Sequence, residues 1–284
     1  MTALMTEAPP RHALKYQLET TLCHMNPAER AARGKMARAE VPRTSHAQFE
    51  PAKDRPDPIA MLEEQGKTRL QELVPVRYGR MMVSPFTYYR GAALPMASDL
   101  ATTPASGLAV QICGDAHLSN FGIFGSAERR LVFDVNDFDE TLPGPWEWDV
   151  KRLAASMEVA GRDNGFADKD RRDIVTATVA SYRNAMRTFA GMTNLDVWYA
   201  HADLEQIRAE LDSELKARQR KTFDRGIAKA KSRDSMQEVA KLTRMVDGQP
   251  RIIAQPPVLV PASDLLPSDV DRATFEKWIQ DLLE

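Results

Sequence analysis

Two short apolar runs, each followed by a cluster of acidic and amide residues, constrain the fold of this chain most strongly. The first run continues into "GDAHLSN", which brings Asp115, His117 and Asn120 close together in sequence. The second, "LVFDVNDFDE", carries Asp134 and Asp137. Short apolar runs bounded by turn residues are typical of strands. The sequence therefore predicts two strands whose ends form one site for a metal ion and a phosphate group.

The predicted strands are short, and polar loops separate them. The central strands are expected at residues 108–113 and 131–135, with residues 121–124 between them as a hairpin partner. A further short strand is predicted at residues 86–89, which are aromatic and apolar. The predicted fold is α+β: a small antiparallel sheet carries the acidic loops and is packed by C-terminal helices.

Several segments show helical spacing or helix-capping residues. Asp57 followed by Pro58 predicts a helix start, and that helix is expected to end near Pro75. Its core-facing residues are expected to be Leu62, Leu70 and Leu73. Apolar periodicity predicts further helices over residues 150–160 and 175–189, and residues 203–245, which are charged and helix-prone, are also predicted to be helical. A capping box of Ser268 and Asp271 predicts a last helix, after an extended segment at residues 250–261.

The chain is long enough for one large or two ordinary domains. It has 284 residues, of which 43% are hydrophobic, and this supports a substantial core. Residues 1–57 are dense in helix breakers and lack a sustained period, so they are predicted to form an extended N-terminal arm. Residues 58–284 are predicted to form the domain that carries the acidic loops.

Charge and composition exclude several classes of function. A net charge of -2 gives no general attraction for nucleic acid, and the basic run at residues 216–233 is predicted to be a solvated helix face. Cys23 and Cys113 are far apart and lack a CxxC pattern, which argues against a zinc site or a disulfide framework. No segment approaches the roughly 18 apolar residues of a membrane span. A cytoplasmic protein without nucleic-acid or membrane partners is expected.

The spacing of Asp115 and Asn120 matches that of the kinase catalytic loop. There the aspartate accepts the proton of the substrate hydroxyl and the asparagine binds magnesium. A second carboxylate is needed for such a cation, and Asp134 at the end of the next apolar run is the first candidate. Asp137, in "DFD", is the alternative metal ligand. Asp115 is therefore the candidate catalytic base, with Asn120 and Asp134 or Asp137 as metal ligands.

Other interpretations of the same residues stay open. Aspartate and asparagine are common in turns for local hydrogen-bonding reasons alone. Arg90 and His117 are candidate cofactor-binding residues, but Arg90 could instead neutralise the carboxylates, and His117 could orient or pack the loop. A two-metal phosphoesterase also begins with Gly-Asp-x-His, but it needs further histidines, and only His201 follows His117.

Longer motifs identify a family. The stretches "RPDPIAMLEEQ", "LVPVRYGRMMVSPFTYYRGAA", "GDAHLSNFG" and "FDVNDFDETLPGPWEWDVKRLAAS" closely resemble the bacterial domain of unknown function 2252, from about residue 27 onward. Its acidic motifs are similar to those of aminoglycoside and choline phosphotransferases. That resemblance implies a kinase-like catalytic lobe, MgATP as donor and a small-molecule hydroxyl as acceptor. It implies Asp115 as base, Asn120 and Asp134 as magnesium ligands, and Asp149 as a supporting residue at the head of a helix.

The sequence departs from the pattern of these phosphotransferases in one respect. Such phosphotransferases hold nucleotide phosphates with a glycine-rich loop and a lysine, and no G-x-G-x-x-G precedes Gly114. The chain is therefore expected to be a truncated member that binds Mg²⁺ or Mn²⁺ weakly and ATP only in a longer form. If ATP does bind, Arg77, Arg80 and Arg90 are expected to contact its phosphates. The competing hypothesis is a non-catalytic remnant or interaction protein.

Overall fold

The computed structural model describes residues 25–212, 215–232, 239, 241–246, 248–266 and 270–283. The chain divides into two compact units. The first comprises Met1–Thr68 with Arg77–Ala209, and the second comprises Arg69–Val76 with Glu210–Glu284. The first unit contains the acidic loops. The predicted boundary at residue 57 stays a prediction.

The described residues form a mixed α+β structure that is mostly helical. In chain order the helices are α1 (Pro27–Glu40), α2 (Pro58–Gly66), α3 (Val74–Met81), α4 (Pro85–Arg90), α5 (Ala93–Leu100), α6 (Trp146–Asp163), α7 (Asp168–Ala190), α8 (Asn194–Tyr199), α9 (Leu204–Leu211), α10 (Ala217–Ser232) and α11 (Arg272–Leu283). The strands are β1 (Ala109–Ile112), β2 (Phe121–Gly125), β3 (Leu131–Val135), β4 (Leu142–Pro145), β5 (Thr243–Val246) and β6 (Gln249–Ile252). None of these helices is long and apolar enough to cross a membrane.

The strands pair as separate two-stranded antiparallel sheets rather than as the one small sheet predicted. β2 pairs with β3, with Phe121 opposite Val135, which confirms the predicted hairpin. β1 pairs instead with β4, with Ile112 opposite Leu142. β4 was not predicted, because its sequence, "LPGP", contains two prolines. Proline is found in strands mainly at sheet edges. Both strands of a two-stranded sheet are edges.

Helix α6 organises the first unit. It packs against α4, α5, α7 and β1, and it begins directly after β4. It starts at Trp146, a few residues before the predicted helix over residues 150–160. The largest fully buried side chains among the described residues are those of Ile112, Pro145, Arg152, Ser156 and Leu204. Two of these are polar residues of α6, so the centre of the unit holds a hydrogen-bonded network as well as apolar packing.

The predicted extended arm is wrong over residues 27–40, where the chain forms α1. Asn26 accepts hydrogen bonds from the Ala28 and Glu29 N–H groups, and the Glu29 carboxylate accepts the Asn26 N–H at 2.7 Å. Pro27 occupies the first turn, where its missing N–H costs nothing. This capping box starts the helix although its residues have little apolar periodicity.

The strand predicted at residues 86–89 is also wrong, because these residues form α4. Ser84 Oγ accepts the Thr87 N–H at 3.2 Å, and Thr87 Oγ1 accepts the Ser84 N–H at 2.8 Å. Pro85 follows the cap and fixes a helical backbone angle. The aromatic residues favoured a strand, but the capping box and proline determine the local structure.

Replacing Ser84 with alanine is expected to lower the free energy of unfolding by about 1 kcal/mol, the usual loss for an N-cap serine. Urea unfolding followed by circular dichroism measures the change. Ser126→Ala provides a loop control, because Ser126 lies between β2 and β3 and caps no helix. An equal loss in the two variants would contradict a specific contribution from the cap.

Several helices begin or end at residues other than the predicted ones. Asp57 caps α2 as predicted, but α2 ends at Gly66, and Pro75 lies near the start of α3 instead of ending a helix. Leu62 is buried, whereas Leu70 is 68% exposed. The long helix predicted over residues 203–245 is divided into α9 and α10, and residues 243–246 form β5.

The second unit contains α10, the β5–β6 hairpin and α11. Pro250 lies in β6, opposite Met245, so part of the predicted extended segment is a strand. The predicted last helix is confirmed as α11, and Asp271 accepts the Thr274 N–H at 2.7 Å. Ser268, the other residue of the predicted capping box, and Cys23 lie outside the described residues.

Candidate functional site

The loop after β1 turns at Gly114, whose φ is +82°. A β-carbon at this position would collide with the backbone carbonyl oxygen of Glu140. Glycine avoids both the backbone strain and the collision. Gly114 therefore allows the loop after β1 to approach the loop between β3 and β4, which carries Asp137.

Asp149 lies in the first turn of α6, as predicted, and its carboxylate binds the start of the loop after β1. Oδ2 accepts the Cys113 N–H at 2.7 Å, and Oδ1 accepts the Gly114 N–H at 3.1 Å. Burial raises the pKa of Asp149, and the two N–H donors oppose that rise. The supporting role implied by the family resemblance thus corresponds to a physical contact between a helix and a distant loop.

One face of α6 binds this loop at successive helical turns. Asp149, Arg152 and Ser156 are spaced so that their side chains share a face. Ser156 is fully buried, and its Oγ accepts the Leu118 N–H at 2.9 Å. Arg152 contacts the Asp115 side chain. The helix therefore fixes both ends of the loop and the carboxylate at its centre.

The candidate base Asp115 is partly buried and ion-paired. Arg152 Nε donates to Asp115 Oδ1 at 2.5 Å, and Arg152 Nη2 is paired with the same oxygen. Burial raises the pKa of Asp115, while the positive charge and hydrogen bond of Arg152 oppose the rise. The Asp115 side chain keeps 21% of its surface exposed.

His117 is a neutral residue of the loop at pH 7. It is 6% exposed, and its Nε2 lies 3.7 Å from Asp115 Oδ2. Burial, followed by the charges of Arg152 and Arg90, lowers the pKa of His117 to about 4. His117 Nδ1 is buried and has no hydrogen-bond partner. A neutral imidazole can orient a neighbour or donate one hydrogen bond, but it offers no positive charge to a phosphate.

The buried Asn120 connects the two acidic loops. Its Nδ2 donates to the Asp115 carbonyl oxygen at 3.0 Å and to the Asp137 carbonyl oxygen at 2.7 Å. Both amide hydrogens are thereby used. The Oδ1 atom is left to accept a hydrogen bond or to bind a cation. Asn120 therefore holds the loops together with one end of its amide and presents an oxygen with the other.

The two alternative metal ligands lie in different surroundings. Asp134 is inside β3, opposite Gly122, and its exposed carboxylate accepts the N–H of the next residue at 2.8 Å. Asp137 is in the loop beyond the strand, and its negative charge raises the pKa values of Asp115 and His117. The backbone carbonyl oxygen of Asp137 accepts from Asn120 Nδ2, and its exposed carboxylate accepts the Asp139 N–H at 3.3 Å.

Arg90, the last residue of α4, supplies positive charge near this cluster. Its charge lowers the pKa values of both Asp115 and His117, although it is exposed to solvent. Arg77, by contrast, donates to the Gly91 carbonyl oxygen at 2.6 Å. Among the predicted cofactor-binding residues, Arg90 is therefore the cation that bears on the acidic loops.

The family model described as "Uncharacterized protein conserved in bacteria (DUF2252)" matches residues 69–284. The chain belongs to this family. The match begins well after residue 27, where the resemblance was expected to start, so "RPDPIAMLEEQ" lies outside it. Every residue of the acidic loops lies inside it. No curated protein and no solved structure matches the chain.

Two residues that define the surroundings of Asp115 were not predicted from the sequence. These are Arg152, whose guanidinium is buried, and Tyr89, whose carbonyl oxygen accepts from Arg152 Nη2 at 3.1 Å. The signal for Arg152 was its position three residues after Asp149, on the same face of a helix. Tyr89 had no such signal, because the segment around it was predicted as a strand.

The arrangement offers a small set of hard oxygen ligands beside a cation. Within the described residues, no group of three or more His, Cys, Asp or Glu side chains could hold a metal ion. The acidic loops instead provide the Asp137 carboxylate and the Asn120 amide oxygen. Carboxylate and amide oxygens are ligand types that Mg²⁺ accepts, together with several waters and substrate phosphates.

Proposed function

We propose that this chain is a kinase-like phosphotransferase, which transfers the terminal phosphoryl group of a nucleoside triphosphate to a hydroxyl group of a small molecule. One observation carries the proposal: the Asn120 amide nitrogen binds the carbonyl oxygens of both Asp115 and Asp137. One side chain therefore holds the backbones of a candidate base and a candidate metal ligand. Phosphoryl transfer requires a base and a metal ligand at one site.

Each residue of the acidic loops has a role in this proposal. Asp115 accepts the proton of the attacking hydroxyl, and Asn120 Oδ1 and the Asp137 carboxylate would hold Mg²⁺. When bound, Mg²⁺ neutralises charge on the phosphate oxygens. Arg90 contributes a second positive charge toward the phosphates. His117 stays neutral and fixes the loop beside Asp115.

Nucleotide affinity is expected to be low. A glycine-rich loop with a lysine normally binds the phosphates, and no G-x-G-x-x-G precedes Gly114. Arg90 is the candidate that takes over part of this contact, because its charge reaches the acidic loops. ATP binding that weakens in Arg90→Ala, with Mg²⁺ affinity unchanged, would support this role for Arg90.

A binding protein without turnover is the second candidate function. The observation that favours it is the ion pair between Asp115 and Arg152, which already occupies one oxygen of the candidate base. A metal-dependent phosphoesterase has less support. Its histidine would have to bind metal, whereas Nε2 of His117 faces Asp115 and Nδ1 is buried.

Phosphoryl transfer can be measured directly with γ-labelled ATP, Mg²⁺ and a panel of small hydroxyl compounds, with water as the reference acceptor. Turnover that is lost in both Asp115→Asn and Asp137→Ala would support the phosphotransferase. Binding of MgATP without turnover would favour the binding protein. Release of phosphate from phosphate monoesters in the absence of ATP would favour the phosphoesterase.

Replacing Asp137 with alanine is expected to weaken Mn²⁺ binding by on the order of 10- to 100-fold, because the site loses its carboxylate ligand. Electron paramagnetic resonance of free Mn²⁺ measures the affinity. Asp134→Ala is the matched control and is expected to stay within about 2-fold of the wild-type affinity. The opposite ranking of the two variants would assign the metal to Asp134.

A further inference from the structure

The guanidinium of Arg152 is held from several sides. Arg152 is 2% exposed. Its Nε and Nη2 are paired with Asp115 Oδ1, Nη2 also donates to the Tyr89 carbonyl oxygen at 3.1 Å, and Nη1 lies 3.3 Å from Met96 Sδ. The guanidinium carbon lies 4.7 Å from the centre of the Tyr89 ring. These contacts leave the guanidinium one orientation.

The Tyr89 side chain completes the enclosure. Its hydroxyl donates to the Arg152 carbonyl oxygen at 2.8 Å and lies 2.9 Å from Met96 Sδ. Tyr89 belongs to α4, Met96 to α5 and Arg152 to α6. Three helices therefore determine where the guanidinium points, and it points at one oxygen of Asp115.

The two oxygens of Asp115 are not equivalent. Oδ1 receives the Arg152 contacts. Oδ2 lies 3.7 Å from His117 Nε2, beyond hydrogen-bond distance. The Asp115 side chain is 21% exposed, so Asp115 borders solvent.

We propose that Arg152 is the positioning residue of the acceptor site: by binding Oδ1 of Asp115, it selects Oδ2 as the oxygen that takes the proton of the acceptor hydroxyl. This inference rests on the proposed phosphotransferase function. Arg152 contacts Asp115 and no reacting atom. It therefore acts through the orientation of the carboxylate.

The proposed step moves one phosphoryl group and one proton. The acceptor oxygen attacks the terminal phosphorus of the nucleoside triphosphate and forms the new phosphorus–oxygen bond. Its hydrogen passes to Asp115 Oδ2, and the bond from phosphorus to the bridging oxygen breaks, with its electron pair leaving on the nucleoside diphosphate. Asp115 then returns the proton to solvent. Arg152 remains charged and bound to Oδ1 throughout.

If the role of Arg152 were purely structural, another cation could replace it. A cation beside a partly buried carboxylate compensates its charge, and a lysine can also do that. Lysine cannot reproduce the planar, multiply bonded contact with Oδ1. Arg152→Lys therefore separates charge compensation from orientation of the carboxylate.

Arg152→Lys is to be compared with the wild-type full chain by thermal unfolding, Mn²⁺ affinity and steady-state ATP turnover with water as acceptor. We expect the Mn²⁺ affinity and the KM for ATP to stay within about 2-fold, while kcat falls by roughly 100-fold, as misplacement of a catalytic group by about 1 Å can cause. Arg171→Lys is the matched control. Arg171 Nε pairs with Glu158 at 3.0 Å, away from the acidic loops, and its kcat is expected to be unchanged.

A double-mutant cycle on kcat gives the second readout. If Arg152 acts only through Asp115, then Asp115→Asn combined with Arg152→Lys is expected to be no slower than Asp115→Asn alone. Wild-type kcat in Arg152→Lys would overturn the inference and leave the proposed function intact, as would additive losses in the double variant. A wild-type chain that turns over no ATP with any acceptor would overturn the proposed function, and the catalytic role of Arg152 with it.

Discussion

Replacing Gly114 with alanine is expected to lower the free energy of unfolding by about 2–5 kcal/mol. A left-handed backbone costs a residue with a β-carbon roughly 1–2 kcal/mol, and forcing a methyl group against packed atoms adds typically 1–3 kcal/mol. Both penalties apply, because φ is +82° and the new β-carbon would meet the Glu140 carbonyl oxygen. Denaturant unfolding of the full chain measures the loss.

Gly165→Ala separates the two penalties. Gly165 follows α6 with a φ of +68°, and a β-carbon there would meet nothing within 4 Å. It is expected to lose only about 1–2 kcal/mol, the cost of backbone strain alone. Equal losses in the two variants would mean that the approach of the two acidic loops does not depend on the missing side chain of Gly114.

The short-range features of the fold could be predicted from the sequence. β3 was predicted with its observed bounds, and the β2–β3 hairpin was anticipated, because two apolar runs flank a polar turn. α7 was predicted from a sustained amphipathic period. Where two local signals disagree, the prediction is wrong. The aromatic residues of α4 favour a strand, but the Ser84 cap determines a helix.

The choice between Asp134 and Asp137 could not be made from the sequence. Asp134 was expected to mark the end of a strand, but pairing continues through Val135, and Asn136 N–H donates to the Asn120 carbonyl oxygen at 3.0 Å. The chain leaves the hairpin only after that point, and the Asp137 backbone carbonyl oxygen accepts from Asn120 Nδ2 at 2.7 Å. A displacement of a few residues along a strand changes which side chain reaches a site.

The ion pair between Asp115 and Arg152 joins residues far apart in sequence, and a single sequence contains no direct signal for such a contact. The helical spacing of Asp149, Arg152 and Ser156 indicates that they share a face, but no prediction used it. The sequence does not show which loop this face of α6 contacts. Once Asp149 is known to bind the loop after β1, the positions of the other two side chains follow.

Replacing Asp149 with alanine is expected to cost about 2–4 kcal/mol, because the Cys113 and Gly114 N–H groups lose their acceptor in a partly buried place. Asp149→Asn is expected to lose about half as much, since its amide oxygen can serve one N–H while its NH₂ faces the other. Urea unfolding measures both. Asp149→Ala is also expected to weaken Mn²⁺ binding by roughly 10-fold, because the loop that carries Asp115 and Asn120 loses an anchor.

The competing explanation is that Asp149 is a favourable charge in the first turn of a helix, which contributes only about 0.3–1 kcal/mol. Asp170 provides the control, since it lies in the first turn of α7 and is exposed. If Asp149→Ala and Asp170→Ala lose the same small amount, the dipole of the helix explains Asp149. If Asp149→Ala loses more stability but keeps the wild-type Mn²⁺ affinity, Asp149 anchors the fold without shaping the metal site. A loss of both stability and Mn²⁺ affinity in Asp149→Ala would mean that α6 holds the acidic loops in the geometry that binds the cation.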